Sequence, residues 1–214
     1  MNDDLEQLLK NLKMGAMREV VERELARAQK QKSSYADFLA RLLRELYQLQ
    51  KARSLEYRIE RAKLPDRWTL ETFPFQAQPG VHEPTIKQLA ELDFVAKKEN
   101  IVFVGPTGTG KSGLASAILL KALENGYRGL FVRAQDLFDE MGYLNLRPEQ
   151  TNLFFKLMEE RYSRRSTLIT TNLDYDDWYG FLGRKEMVGA LLDRLRHHCH
   201  TVRIDGPSLR EPQS

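Results

Sequence analysis

The hydrophobic positions of this chain change rhythm near residue 70. Before that point they recur at helical spacing. Leu5, Leu8, Leu9 and Leu12 share one helical face, and Val20, Val21 and Leu25 continue the apolar pattern beyond Gly15. Ser34 followed by Asp37 forms a capping box that opens a second helix, with Phe38, Leu39, Leu42, Leu43 and Leu46 as its apolar stripe. Pro65 closes this block. Residues 69–85 then gather Pro74, Pro79, Gly80 and Pro84, interleaved with Phe73 and Phe75, which is the composition of an irregular connector lying on the next domain.

Beyond the connector, short apolar runs alternate with amphipathic stretches. The pattern predicts helices over 86–98, 113–124, 148–162 and 188–197, with a helix stop at Asn125-Gly126. It predicts strands over 101–104, 129–133, 167–171 and 201–204. Strands that alternate with helices imply an α/β domain built on a parallel sheet. The expected organisation is a helical N-terminal accessory domain over 1–68 and an α/β domain over 69–214, with 69–85 as linker.

A chain of 214 residues has room for one full domain and a smaller one. The net charge of +3 permits nucleic-acid binding without arguing for it. A single cysteine, Cys199, excludes an internal disulfide and fits a reducing cytosol, so a cytoplasmic location is expected. The start, Met-Asn-Asp-Asp, is acidic and lacks the apolar core of a secretory signal. No apolar run is long enough to span a bilayer, so no membrane partner is expected.

Candidate chemistry concentrates in one motif. Gly105, Pro106, Thr107, Gly108, Thr109, Gly110, Lys111 and Ser112 fit G-x-x-x-x-G-K-[ST], the phosphate-binding loop of nucleotide hydrolases. Glycines let backbone N–H groups turn toward phosphate oxygens where a Cβ would obstruct them. Lys111 is placed to reach the β- and γ-phosphates, and the Ser112 hydroxyl to hold Mg²⁺, so ATP and Mg²⁺ are the expected ligands. An apolar run before the loop and a helix after it supply the strand–loop–helix context that this chemistry needs.

Further stretches, taken in order with this loop, resemble the IstB-like ATP-binding proteins. These are helper ATPases of insertion-sequence transposition within the AAA+ group, related to the helicase loader DnaC and the initiator DnaA. The matching residues are Leu89–Phe94, the loop itself, Gly113–Ala115, Asp139–Leu144, Thr170–Leu173, Ala190–Leu195 and Val202–Gly206. The N-terminal helices, through Leu64-Pro65 and Phe73, resemble that family's accessory domain. The resemblance implies a P-loop AAA+ parallel sheet flanked by helices. It implies that Asp139 binds Mg²⁺ through water, that Glu140 polarises the attacking water, and that Asn172 senses the γ-phosphate or that water. It also implies that Arg194 acts in trans as an arginine finger in a homo-oligomer, and that DNA and a cognate transposase are partners.

The chain departs from that pattern at one place. The family has a helix and a strand between its second strand and its Asp-Glu pair. Here only Ala134 to Phe138 separate Arg133 from Asp139. A parallel crossover needs about a dozen residues, so the missing unit cannot fit. Two explanations stand. One is an internal deletion joined at a shared Asp-Glu-Met near 134–140; the other is a short variant in which the 129–133 strand takes the missing strand's place. Either way ATP binding is expected to persist with weakened or absent hydrolysis.

Other features have bland readings. His197 to His200 are adjacent on one element and do not converge on a metal. Asn172 also suits a strand-end turn and Arg194 a surface ion pair with Asp193 or Glu186, while Trp178 with Tyr179 suits a loop over the sheet edge or, the preferred reading, ordinary aromatic packing. Basic residues outnumber acidic ones two to one over 41–67, which suits a solvated helix face or a DNA-phosphate contact, with Tyr47, Tyr57 and Trp68 nearby. The function expected is an ATP-dependent helper of transposition. The alternatives are a DnaC-type helicase loader and a non-hydrolysing DNA-binding remnant.

Overall fold

The computed structural model describes residues 3–12, 14–31, 33–133, 148–182 and 185–210. The chain divides into two compact units, Met1–Glu60 and Arg61–Ser214.

The first unit is helical. It holds α1 (Asp3–Asn11), a 3-10 turn (Gly15–Met17), α2 (Arg18–Gln31) and most of α3 (Tyr35–Ala62). The N-cap half of the capping box forms at the start of α3, with a side-chain pair in place of the reciprocal bond. The Asp37 N–H donates to Ser34 Oγ at 3.1 Å, and the Ser34 hydroxyl donates to the Asp37 carboxylate at 2.6 Å. Leu9 and Val21 are buried, and so is Glu24. Its carboxylate lies 3.4 Å from Arg41 Nε and 3.7 Å from Arg27 Nη1.

The second unit is a P-loop α/β fold. After a 3-10 turn (Phe75–Ala77) come α4 (Glu83–Leu89), α5 (Asp93–Lys97), β1 (Asn100–Val104) and α6 (Lys111–Glu124). Then follow α7 (Pro148–Arg161), β2 (Leu168–Thr171), α8 (Trp178–Leu182), α9 (Lys185–His197) and β3 (Cys199–Arg203). The described strands form a parallel sheet in the order β2-β1-β3. Ile101 pairs with Leu168 on one side and with His200 on the other.

β1 is buried along its whole length, and its alternating side chains serve two cores. Ile101 and Phe103 join Phe73, Ile86, Phe94, Leu114, Ile118 and Ile204 on one face. Val102 and Val104 join Met158, Trp178, Leu182, Val188, Leu192 and Leu195 on the other. The result is helices on both faces of a sheet whose central strand reads as a continuous apolar run.

Three local expectations are corrected. The 129–133 segment forms no strand. Its Phe131 N–H donates instead to the Ala62 carbonyl at 2.7 Å, and Gly129 packs on Leu119 of α6. Among the described residues no strand lies beyond the outer edge of β2. Without an intervening strand the segment has no ladder to join, and an isolated strand is not stable. The predicted helix over 86–98 is two helices, α4 and α5. Buried Leu92 sits between them in the left-handed region at φ 69°. Burying its side chain offsets the strain of that turn. Trp178 and Tyr179 begin a short helix rather than a loop, and Trp178 is buried against Phe154 with its Nε1–H directed at the Leu173 carbonyl, 3.4 Å away.

Candidate functional site

The carboxyl ends of β1 and β2 carry the candidate residues, where open α/β sheets bind ligands. β1 hands the chain to Gly105, and the loop turns into α6 at Gly110, the N-cap residue. Gly110 has φ 90°, and no side chain caps the helix. The first amide donors of a 14-residue helix and the positive end of its dipole therefore stand open at the loop. Gly108 also has a left-handed φ, 87°, and a Cβ there would lie 2.2 Å from Ser208 Oγ.

Lys111 is buried to 7% exposure. Its Nζ donates to the Gly105 carbonyl at 2.7 Å and the Pro106 carbonyl at 2.5 Å. Burial lowers its pKa below the ordinary lysine value, and the nearby Arg210 charge lowers it further. Among the described residues no carboxylate pairs with it. A buried ammonium with two carbonyls and no counter-ion is a ready receptor for an anion. The Thr109 hydroxyl donates to the Pro106 carbonyl at 2.9 Å and holds the loop's shape.

Asn172 lies just past β2, and its Nδ2 donates to Thr107 Oγ1 at 2.9 Å. The structure thus brings Asn172 to the phosphate loop. A cleft of about 690 Å³ opens there. Thr107, Lys111, Ser112 and Asn172 supply its polar wall, and Phe154, Trp178 and Phe181 form an apolar wall beside the edge of β2. Asp139 and Glu140 lie outside the described residues. Arg194 is not in this cleft. It pairs with Glu159 at 3.2 Å and lines a separate cavity of about 140 Å³ with Asn100, at the opposite end of β1. His200 meets Glu99 at 2.8 Å, and the His198 ring faces Tyr162.

Two residues at the site, Gln78 and Arg210, escaped the sequence reading, and Trp68 was read only as an aromatic near a basic stretch. Fully buried Gln78 donates through Nε2 to the Thr109 carbonyl at 3.1 Å and to the Pro207 carbonyl at 2.9 Å. Trp68 packs against Gly113 in the first turn of α6, within 6.0 Å of the Phe73 ring, and lines the cleft. Arg210 lines the cleft as well. Gln78 and Trp68 belong to or border the Pro-rich connector, so the expectation that it lies on the domain was the signal available.

The residues present fit a Mg²⁺–nucleoside triphosphate. The buried ammonium, the uncapped helix start and the positive-φ glycines of the loop all suit phosphate. The Ser112 hydroxyl, in the first turn of α6, is placed to serve a cation that accompanies it.

Comparison with known proteins agrees with this geometry. The insertion sequence IS21 ATP-binding protein of Pseudomonas aeruginosa is 35% identical over 97% of this chain and 88% of its own length. The insertion sequence IS5376 ATP-binding protein of Geobacillus stearothermophilus is 36% identical over 83% of this chain and 81% of its own. The solved structure of DnaI matches 67% of this chain and 91% of that one with a TM-score of 0.54 at 18% identity, a likeness of fold. The IS21 alignment runs over 234 positions yet uses only 97% of these 214 residues, so about two dozen positions of that relative have no counterpart here. The family model for IstB-like ATP-binding proteins matches residues 7–141 and 137–214, two stretches that overlap at Leu137–Met141. The chain belongs to the IstB-like ATP-binding protein family.

Proposed function

We propose that this chain is an ATP-binding helper of DNA transposition whose hydrolytic step is weakened or lost. The observation that supports it most is Lys111, buried in its own glycine loop without a carboxylate among the described residues. In this reading Lys111 and the amides of the loop hold the β- and γ-phosphates, and Ser112 with Asp139 holds Mg²⁺. The metal would draw charge from the phosphate oxygens. Glu140 would orient the attacking water, and Asn172, anchored on Thr107, would read the γ-phosphate. Arg194, remote from its own chain's loop, would serve a neighbour's nucleotide in a homo-oligomer. DNA and a transposase are the proposed partners, in the cytoplasm, since the relatives are insertion-sequence proteins. No helix among the described residues is long and apolar enough to cross a membrane. The accessory domain over 1–68 would supply part of the DNA contact through its basic residues.

Weakened hydrolysis has its own support. The two family matches overlap at the Asp-Glu-Met that follows Phe138, and the missing stretch has about the length of one helix and one strand. The 129–133 segment does not stand in as a strand. Both support a joined deletion of the helix–strand unit that precedes the acidic pair elsewhere in the family.

Calorimetry of the full chain with Mg·ATP tests binding. Heat is expected for the natural chain and none for Lys111→Ala, whereas folded natural protein that gives no heat overturns the reading. The shortened sheet also supports a second reading, a DNA-binding remnant in which nucleotide is not a switch. DNA affinity that ignores both ATP and Lys111→Ala would favour it.

A further inference from the structure

The phosphate loop is held from behind, by its carbonyls. Lys111 Nζ donates to the Gly105 and Pro106 carbonyls, and the Thr109 hydroxyl donates to Pro106 as well. The Leu209 N–H, in the segment after β3, donates to the Gly108 carbonyl at 2.8 Å. The Thr109 carbonyl is taken by a side chain from outside the loop. Gln78 of the Pro-rich connector donates to it through Nε2 at 3.1 Å, and the same nitrogen donates to the Pro207 carbonyl at 2.9 Å. Gln78 is fully buried, so both bonds lie on the inner side of the loop.

A trans peptide points its C=O and the N–H that follows in opposite directions. Drawing the Thr109 carbonyl inward to Gln78 therefore turns the Gly110 N–H outward. Gly110 lines the cleft and is the N-cap residue of α6. The bond from Leu209 to the Gly108 carbonyl turns the Thr109 N–H away from that segment in the same manner. Gly108 and Gly110 hold left-handed φ values of 87° and 90°, the backbone form in which neighbouring amides converge on an anion. The other polar atom of Gln78, Oε1, is buried without a partner among the described residues, and Gly206 passes so close that a Cβ there would overlap it. A side chain that only filled this space would cost less as a hydrocarbon. The two donated bonds are what its amide supplies.

We propose that Gln78 is a positioning residue of the nucleotide site, which holds the Thr109 carbonyl and so sets the Gly110 N–H toward the phosphate tail. The inference rests on the nucleotide-binding reading above. Gln78 does not touch phosphate. It acts through one peptide group whose two ends are polarised together. A phosphate oxygen that accepts from the Gly110 N–H makes the Thr109 carbonyl a stronger acceptor, so ligand and Gln78 reinforce one another across that peptide. The second bond, to Pro207, fixes where Nε2 sits and keeps the first bond in line.

The test compares the natural full chain with Gln78→Met, Gln78→Glu and Lys111→Ala, each titrated with Mg·ATP and with magnesium tripolyphosphate well below its melting temperature. Gln78→Met keeps the length and removes the donors. It is expected to weaken both ligands by about tenfold, with an unchanged salt dependence because no charge is lost. Gln78→Glu should weaken both further at neutral pH and recover part of the loss, relative to the natural chain at the same pH, as the solution is acidified, since only the protonated acid can donate. In the natural chain the Gln78 side-chain amide resonance should move downfield when tripolyphosphate binds. Affinity within about twofold of natural in Gln78→Met, whatever its melt, overturns the proposal, and so does a loss confined to ATP. Should the variants not fold, a Gln78 resonance that stays in place in the saturated natural chain overturns it. In each case the nucleotide reading survives if Lys111→Ala still abolishes binding, whereas a natural chain that binds neither ligand overturns both.

Discussion

Asn172 Nδ2 donates to Thr107 Oγ1 across 2.9 Å, tying the carboxyl end of β2 to the phosphate loop that follows β1. Two neighbouring strands thereby present one continuous polar rim. The bond is exposed and neutral, so its net worth is about 1 kcal/mol. Asn172→Ala is expected to weaken Mg·ATP binding about threefold to tenfold, and Thr107→Ala by a similar factor. The double variant should lose less than the product of the two, and competition titration of all four proteins checks this.

Lys111 is expected to help the nucleotide complex and to harm the empty fold. Burial lowers its folded-state pKa below that of the unfolded chain, with Arg210 adding to the effect. The charged form is therefore disfavoured by folding. That cost is fully present below the folded-state value and fades as pH rises through it toward the ordinary lysine value. Lys111→Met should raise the melting temperature of nucleotide-free protein at neutral pH, with a gap to the natural chain that narrows in alkaline buffer. The same variant should lose about a hundredfold or more in ATP affinity, since charged hydrogen bonds contribute about 1.5–3 kcal/mol each. A parallel pair of melts and titrations reads both effects.

If the short stretch is a joined deletion, hydrolysis should suffer while binding persists. Steady-state phosphate release is expected to be weak or absent for this chain. A chimera that inserts at the Leu137–Met141 overlap the residues by which the Pseudomonas relative is longer there should raise turnover. A gain of about a hundredfold or more is expected, the scale of restoring a positioned general base. Release by the natural chain at the rate of the chimera would mean that the acidic pair needs no added strand.

The N-terminal unit hinges on a buried charge. Glu24 is 2% exposed and faces Arg41 and Arg27. Glu24→Ala is expected to destabilise that unit by about 1–3 kcal/mol, because it strips the paired guanidiniums and leaves a small void. Chemical denaturation of the full chain followed by helix content measures it, and ATP affinity should stay unchanged.

Much of this was legible in the sequence because the signals are local. The loop from Gly105 to Ser112 encodes its own turn, and β1 announces itself as an apolar run. The Ser34 cap of α3 spans four residues, and its bond to the Asp37 N–H formed as read. What was not legible depends on distant partners. The 129–133 stretch has strand composition but, among the described residues, no strand beside it to pair with. Leu92 breaks a helical pattern because its side chain finds a core that no local window reveals. Gln78 and Arg210 are separated by more than half the chain, and only folding brings both to the loop.

β1 gives its odd-numbered side chains to one hydrophobic layer and its even-numbered ones to the other. Neither layer can come apart without stripping a wall from its counterpart. Heat should therefore dissolve both together in a single sharp calorimetric peak, and a wound to either layer should be felt at the triphosphate loop that this strand delivers.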